Sequence, residues 1–104
     1  MIRVRFMTAD GLLSGFSVSG HAGAGEYGQD IVCAAVSSAT YMTANTVTDI
    51  LCQPADILVD EGLLSLQITG DITACQAVLA GFRLHIQALQ EEYPERIQLM
   101  NTEV

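Results

Sequence analysis

The sequence predicts an α/β fold: a single-domain sandwich of order ββαββα(β), its mixed or antiparallel sheet packed with two helices. Three observations predict it. Apolar residues alternate at a period of two near the start and again in the middle of the chain. Two longer segments, one after each alternating pair, carry the residue types and spacing of helices. At 104 residues the chain is long enough to bury one core and too short for a cofactor domain plus a substrate domain, so residues 1–104 are expected to form a single domain.

Ile2, Val4 and Phe6 alternate with Arg3, Arg5 and Met7, and Phe16 and Val18 alternate with Ser17 and Ser19, as in half-buried strands. Asp10-Gly11 supplies the turn between them. A loop follows with Gly20, Gly23, Gly25 and Gly28, and then Asp30, whose side chain can cap a helix beginning at Ile31. That helix is expected to run to about Cys52, before Pro54. Its small and apolar residues spread around much of the circumference, which predicts a central helix covered on more than one side. The second hairpin takes Ile57-Leu58-Val59 as one strand, Asp60-Glu61-Gly62 as the turn, and Leu64, Leu66 and Ile68 alternating with polar residues as the other. From about Thr73 to Tyr93, Val78, Phe82, Ile86 and Leu89 recur at helical spacing, and Pro94 stops the helix. Arg96 to Asn101 can add a last short strand.

Half the residues are apolar and 15% are charged, which excludes disorder and points either to a well-filled core or to a further apolar face buried against a partner, as in a homo-oligomer. The net charge of −8 comes from 12 acids against four arginines, with no lysine. No basic stripe exists to neutralise phosphates, so direct nucleic-acid binding is not expected, and the acidic surface favours basic partners. Met1 to Met7 runs into Thr8-Ala9-Asp10-Gly11 without the apolar stretch of about 7–15 residues of a signal peptide. No stretch reaches the roughly 18–20 apolar residues of a bilayer span. These readings predict a cytoplasmic protein with no membrane partner. Cys33, Cys52 and Cys75 have neither even number nor CxxC spacing, against both a disulfide framework and a metal site.

Gly23-Ala24-Gly25-Glu26-Tyr27-Gly28 satisfies GxGxxG between a strand and a helix, but its context fails. Dinucleotide binding requires a βαβ unit with an acidic residue closing the next strand about 20 residues on, and here the helix is still running there. Glu26 would also repel a pyrophosphate. No cofactor is expected, and the glycines are read as a mobile loop that gates a site; Glu26 and Tyr27 have no assigned role.

With Asp30 as cap, Cys33 falls in the first helical turn, where the helix dipole favours thiolate and the backbone N–H groups of Cys33 and Ala34 can meet an oxyanion. The competing reading is a small buried residue that packs. His21 is separated from Cys33 by twelve positions of flexible sequence that can fold back to bring imidazole to sulfur. Its own competing reading is a histidine closing a strand. Asp30 reads as cap or as catalytic third member, the cap being favoured, and Ser37 stands one turn beyond Cys33, either hydrogen-bonding near the site or packing. Cys75 begins the second helix, but His85 lies about 15 Å along that helix. His85 is read as a structural or interface residue, and Cys52, at the negative end of its helix, as packing.

Gly20-His21-Ala22-Gly23, a short Gly-rich stretch, and then Gly28-Gln29-Asp30-Ile31-Val32-Cys33-Ala34-Ala35-Val36-Ser37 closely resemble the signature of the ribosomal-processing cysteine protease family, often called Prp. Length, hairpins and closing helix are similar across nearly the whole chain. The resemblance implies a small α/β homodimer, a thiol protease of ribosome biogenesis, in which a Cys-His pair, here Cys33 and His21, removes a short N-terminal extension from large-subunit ribosomal protein L-twenty-seven. Gly20, Asp30 and Ser37 match family positions around the active site, and the loop Ala22 to Gln29 would order on binding peptide. The family's cleavage site follows an apolar, aromatic-containing stretch. Two other readings stand beside it: a non-catalytic ribosome-assembly or ribosomal-protein-binding module using the same groove, and a thiol redox sensor, which would lack a clear resolving cysteine.

Overall fold

The computed structural model describes residues 1–20 and 27–103, with the backbone alone for residues 27–30. Strands β1 (Ile2–Ala9) and β2 (Leu12–Ser19) form the opening hairpin. Asp10 and Gly11 both take positive φ, 54° and 78°, the handedness that lets a two-residue turn follow the twist of the strands. The hairpin is not uniform: Met7 pairs with Gly15 and Thr8 with Leu13, so Ser14 is an extra residue in β2. Gln76 holds this irregular stretch, its side-chain amide accepting from the Leu13 N–H at 2.9 Å and donating to the Leu13 carbonyl at 2.7 Å.

Strands β3 (Ala55–Asp60) and β4 (Leu63–Ile68) form the second hairpin, and β5 (Ile97–Glu103) closes the chain. The sheet order is β3-β4-β2-β1-β5. All neighbours are antiparallel except β1 and β5, so the sheet is mixed. On β1 Ile2, Val4 and Phe6 are buried while Arg3 and Arg5 are exposed. Helix α1 (Tyr27–Asn45) and helix α2 (Gln76–Glu92) cover the face that carries Val4 and Phe6, making two layers around one core. Phe82 of α2 packs edge-on against Phe6 and Phe16, with ring centroids 5.5 and 4.9 Å apart.

Two expectations for α1 are corrected. The helix begins at Tyr27, not Ile31, so Asp30 lies inside its first turn and is not the N-cap, and Cys33 stands in the second turn. A side-chain cap contributes only about 1 kcal/mol and does not fix a start when helix-compatible residues precede it. Nor is α1 covered all round. Val32, Val36, Thr40, Thr43 and Val47 form one buried stripe, while Ala34, Ser37, Ser38, Tyr41 and Met42 are exposed. Alanine and cysteine counted as apolar in the sequence but need little covering. The buried threonines are accommodated within the helix: Thr40 donates to the Val36 carbonyl at 2.7 Å and Thr43 to that of Ala39 at 2.8 Å. A wide turn at Thr46–Ile50 ends the helical path, with the Leu51 N–H bonded to the Thr46 carbonyl and Cys52 at φ 55°.

Gly20 follows β2 at φ 90°, and its N–H donates to the Gly62 carbonyl at 3.0 Å. A Cβ there would run into the Met1 carbonyl oxygen. Gly20→Ala is therefore expected to destabilise the fold by about 1–3 kcal/mol, read as a lowered urea midpoint at unchanged slope.

Candidate active site

Cys33 is half-buried on α1 and opens into a cleft of about 250 Å³ between that helix and the β2, β3 and β4 strands. Ser37 and Tyr41, one and two turns further on, line the same cleft, as the repeat of a helix face requires. Val18 and Leu64 line it from the sheet, together with Gly20 and Gly62, which are joined by a backbone hydrogen bond. Apart from Cys33, the lining is hydroxyl-bearing on the helix side and mostly aliphatic on the sheet side. The Cys33 thiol thus stands in the wall of a largely aliphatic slot.

Of the predicted site residues, the structure brings Gly20 and Ser37 to the Cys33 cleft. Ala34 is exposed and points elsewhere, being absent from the lining. With α1 beginning at Tyr27, the Cys33 and Ala34 N–H groups fall beyond the first four of the helix, whose N–H groups alone lack partners within it, so the first-turn oxyanion site expected for them is also corrected. His21 and most of the Gly-rich loop lie outside the described residues, as does the Asp30 side chain. The expected gating by that loop therefore falls outside the described residues as well.

Sequence reasoning missed Val18, Thr40, Tyr41, Val59, Asp60, Gly62, Leu63 and Leu64 as cleft residues. Tyr41 was within reach of it, since it lies eight positions from Cys33 on one helix face. The β3 and β4 residues were not, because nothing local places that hairpin beside β2. His85 is exposed in a second groove, between α1 and α2, lined by Ala39, Met42, Val78 and Phe82. It stands apart from the Cys33 cleft.

The other cysteines differ sharply from one another. Cys52 is exposed. Cys75 is buried, its Sγ directed at the Asp71 carbonyl at 3.7 Å, and burial pushes its thiol up, with the Asp71 carboxylate acting in the same direction. Because its folded value lies above the unfolded one, the stability contributed by the neutral thiol is complete below the unfolded value. It is lost as pH rises through the folded value. In a pH series with iodoacetamide, Cys75 is expected to be alkylated last. Exposure alone would rank Cys52 ahead of half-buried Cys33, so labelling of Cys33 first would report reactivity that exposure does not supply.

Residues 1–98 match the family model described as cysteine protease Prp. The chain belongs to the Prp cysteine protease family. It is 30% identical over 95 residues to the ribosomal processing cysteine protease Prp of Staphylococcus aureus strain Mu50, covering 86% of this chain and 88% of that protein. A crystal structure of a Streptococcus mutans protein superposes with a TM-score of 0.88 at 30% identity, covering all of this chain and 96% of the other. The S. aureus Prp protease solved with a substrate peptide gives a TM-score of 0.87 at 29% identity, over 98% of this chain and 100% of that one. A second structure of the S. aureus enzyme holds a covalently linked product peptide, at a TM-score of 0.86 and 30% identity, over 98% of this chain and 100% of that one. The Prp-family chain described here is thus a cysteine protease. Among the described residues no helix is long and apolar enough to cross a membrane.

Proposed function

We propose that this chain is a ribosomal-processing endopeptidase that removes the N-terminal extension of large-subunit ribosomal protein L-twenty-seven, with Cys33 as nucleophile and His21 as its base and acid. The observation that carries the reading is the placement of Cys33 and Ser37 in one cleft whose far wall is aliphatic and which Gly20, the residue immediately before His21, also lines. In the proposed reaction the Cys33 sulfur attacks the scissile carbonyl carbon, and the proton held by His21 passes to the departing amine. Water, deprotonated by the same imidazole, then hydrolyses the thioester and frees the extension peptide.

Asp30, Cys33 and Ser37 fall on one stripe of α1 at spacings of three and four. We assign Asp30 the role of third member, orienting His21, and Ser37 that of a hydroxyl beside the reacting carbonyl. The site works in the cytoplasm, where ribosomes assemble, and the chain acts as a homodimer. The dimer reading is supported by Met42 and Leu84, 66% and 68% exposed. Sedimentation at tens of micromolar is expected to show the dimer, and a monomer would reject it.

The deciding experiment incubates the protein with a synthetic peptide spanning the extension junction and weighs the products. Two fragments, one beginning at the mature residue, are expected. An intact peptide that nonetheless binds would replace this reading by the non-catalytic binding module.

A further inference from the structure

Among the described side chains that line the cleft beside Cys33, Asp60 is the one Asp, Glu or Arg. Asp60 is the last residue of β3, paired with Leu63 across the turn. Its Oδ1 accepts the Glu61 N–H at 2.7 Å, and the Gly62 carbonyl in the same turn accepts the Gly20 N–H at 3.0 Å. The carboxylate is therefore mounted on a turn tied directly to the end of β2, among the residues that line the cleft. It is exposed, and no described arginine pairs with it. Arg3 and Arg5 lie on the opposite face of the sheet, exposed where Val4 and Phe6 are buried. Among the described residues, the remaining lining offers no compensating charge.

A carboxylate in an aliphatic slot, with no described arginine beside it, rewards one kind of ligand. A peptide that fills the slot excludes water from the carboxylate's flank, so a cation placed there gains more than it would in open solvent, and an anion is repelled. We propose that Asp60 is a specificity-determining residue that selects a peptide carrying a lysine or arginine side chain close to the bond presented to Cys33. This rests on the protease reading above and adds to it the charge of the substrate and the residue that reads it. Asp60 touches the substrate side chain and takes no part in bond breaking.

The test uses the full chain and a set of peptides spanning the extension junction. In turn, each of the three positions on either side of the cut carries lysine, norleucine or glutamate. Norleucine keeps most of the length of lysine and removes its charge. At one position lysine is expected to exceed norleucine in kcat/KM by about 3- to 10-fold, chiefly through KM, with glutamate poorest. The preference should shrink between 50 and 500 mM salt, as charge pairing at an exposed carboxylate is screened over roughly one Debye length. Asp60→Asn keeps the acceptor for the Glu61 N–H and removes only the charge, so it is expected to bring the lysine-to-norleucine ratio to about one. Asp60→Lys is expected to reverse the order in favour of glutamate. The inference is overturned if no position shows the preference, or if Asp60→Asn retains it. Binding of the same peptides to the Cys33→Ala protein, read by fluorescence anisotropy, separates the two claims. Charge-selective binding without cleavage by the unaltered chain rejects the protease reading alone, and cleavage without charge selection rejects the role of Asp60 alone.

Discussion

Cys33→Ala is expected to abolish cleavage of the junction peptide while leaving the chain folded. The reasoning begins with placement: Cys33 is the one cysteine in the cleft, Cys52 being exposed elsewhere and Cys75 buried in the core. Removing its sulfur removes the atom proposed to form the thioester, and no neighbouring side chain of the cleft can replace it as a thiol. The structural cost is small. Cys33 is half-buried and packs at the border of the core, so losing one sulfur should cost about 1 kcal/mol, visible as a modest shift in the urea midpoint. Cys33→Ser should be nearly as inactive, because a hydroxyl is a far weaker nucleophile in a site arranged around a thiol. Mass spectrometry of the product mixture measures the activity, and circular dichroism the fold. Cleavage that survives in Cys33→Ala would reject the assignment of the nucleophile.

His21→Ala is expected to lower kcat/KM by roughly 10²–10⁴-fold, the range of a single general acid–base group. Residual turnover should remain, since the thiol, the cleft and the anchoring of Gly20 are all retained. The expected signature is a fall in kcat with little change in KM, together with loss of one limb of the pH profile. A fall confined to KM would make His21 a binding residue and leave the base unassigned. The comparison with Gly20→Ala is informative, because that substitution should lower stability as well as activity through the crowding against Met1.

Much of the architecture was legible because its signals are local. The alternation of Ile2, Val4 and Phe6 with arginines, the Asp10-Gly11 turn and the Val78-Phe82-Ile86 spacing each follow from the geometry of one element. The structure reproduces them in β1, in the positive φ values of the turn, and in α2. The start of α1 was not legible. Asp30 is a good cap and an acceptable first-turn residue alike, and a preference of about 1 kcal/mol did not decide between the two. The coverage of α1 was misjudged for a related reason: a composition of small residues does not say which of them the sheet will cover.

By itself, then, the sequence determined the order ββαββα(β), the turn chemistry of the first hairpin, and the candidates Gly20, His21, Cys33 and Ser37 for the site. Periodicity and spacing are properties of one strand or one helix, written in consecutive residues. Only the tertiary structure decided that β4 lies beside β2, which carries Val59, Asp60 and Leu63 of the second hairpin to a cleft whose thiol is contributed by α1. It also decided that both helices share one face and leave Arg3 and Arg5 on the other. Those outcomes depend on which apolar faces bury one another across long stretches of chain. The hydrophobic effect that drives such burial is non-directional, so no short run of residues encodes its partners.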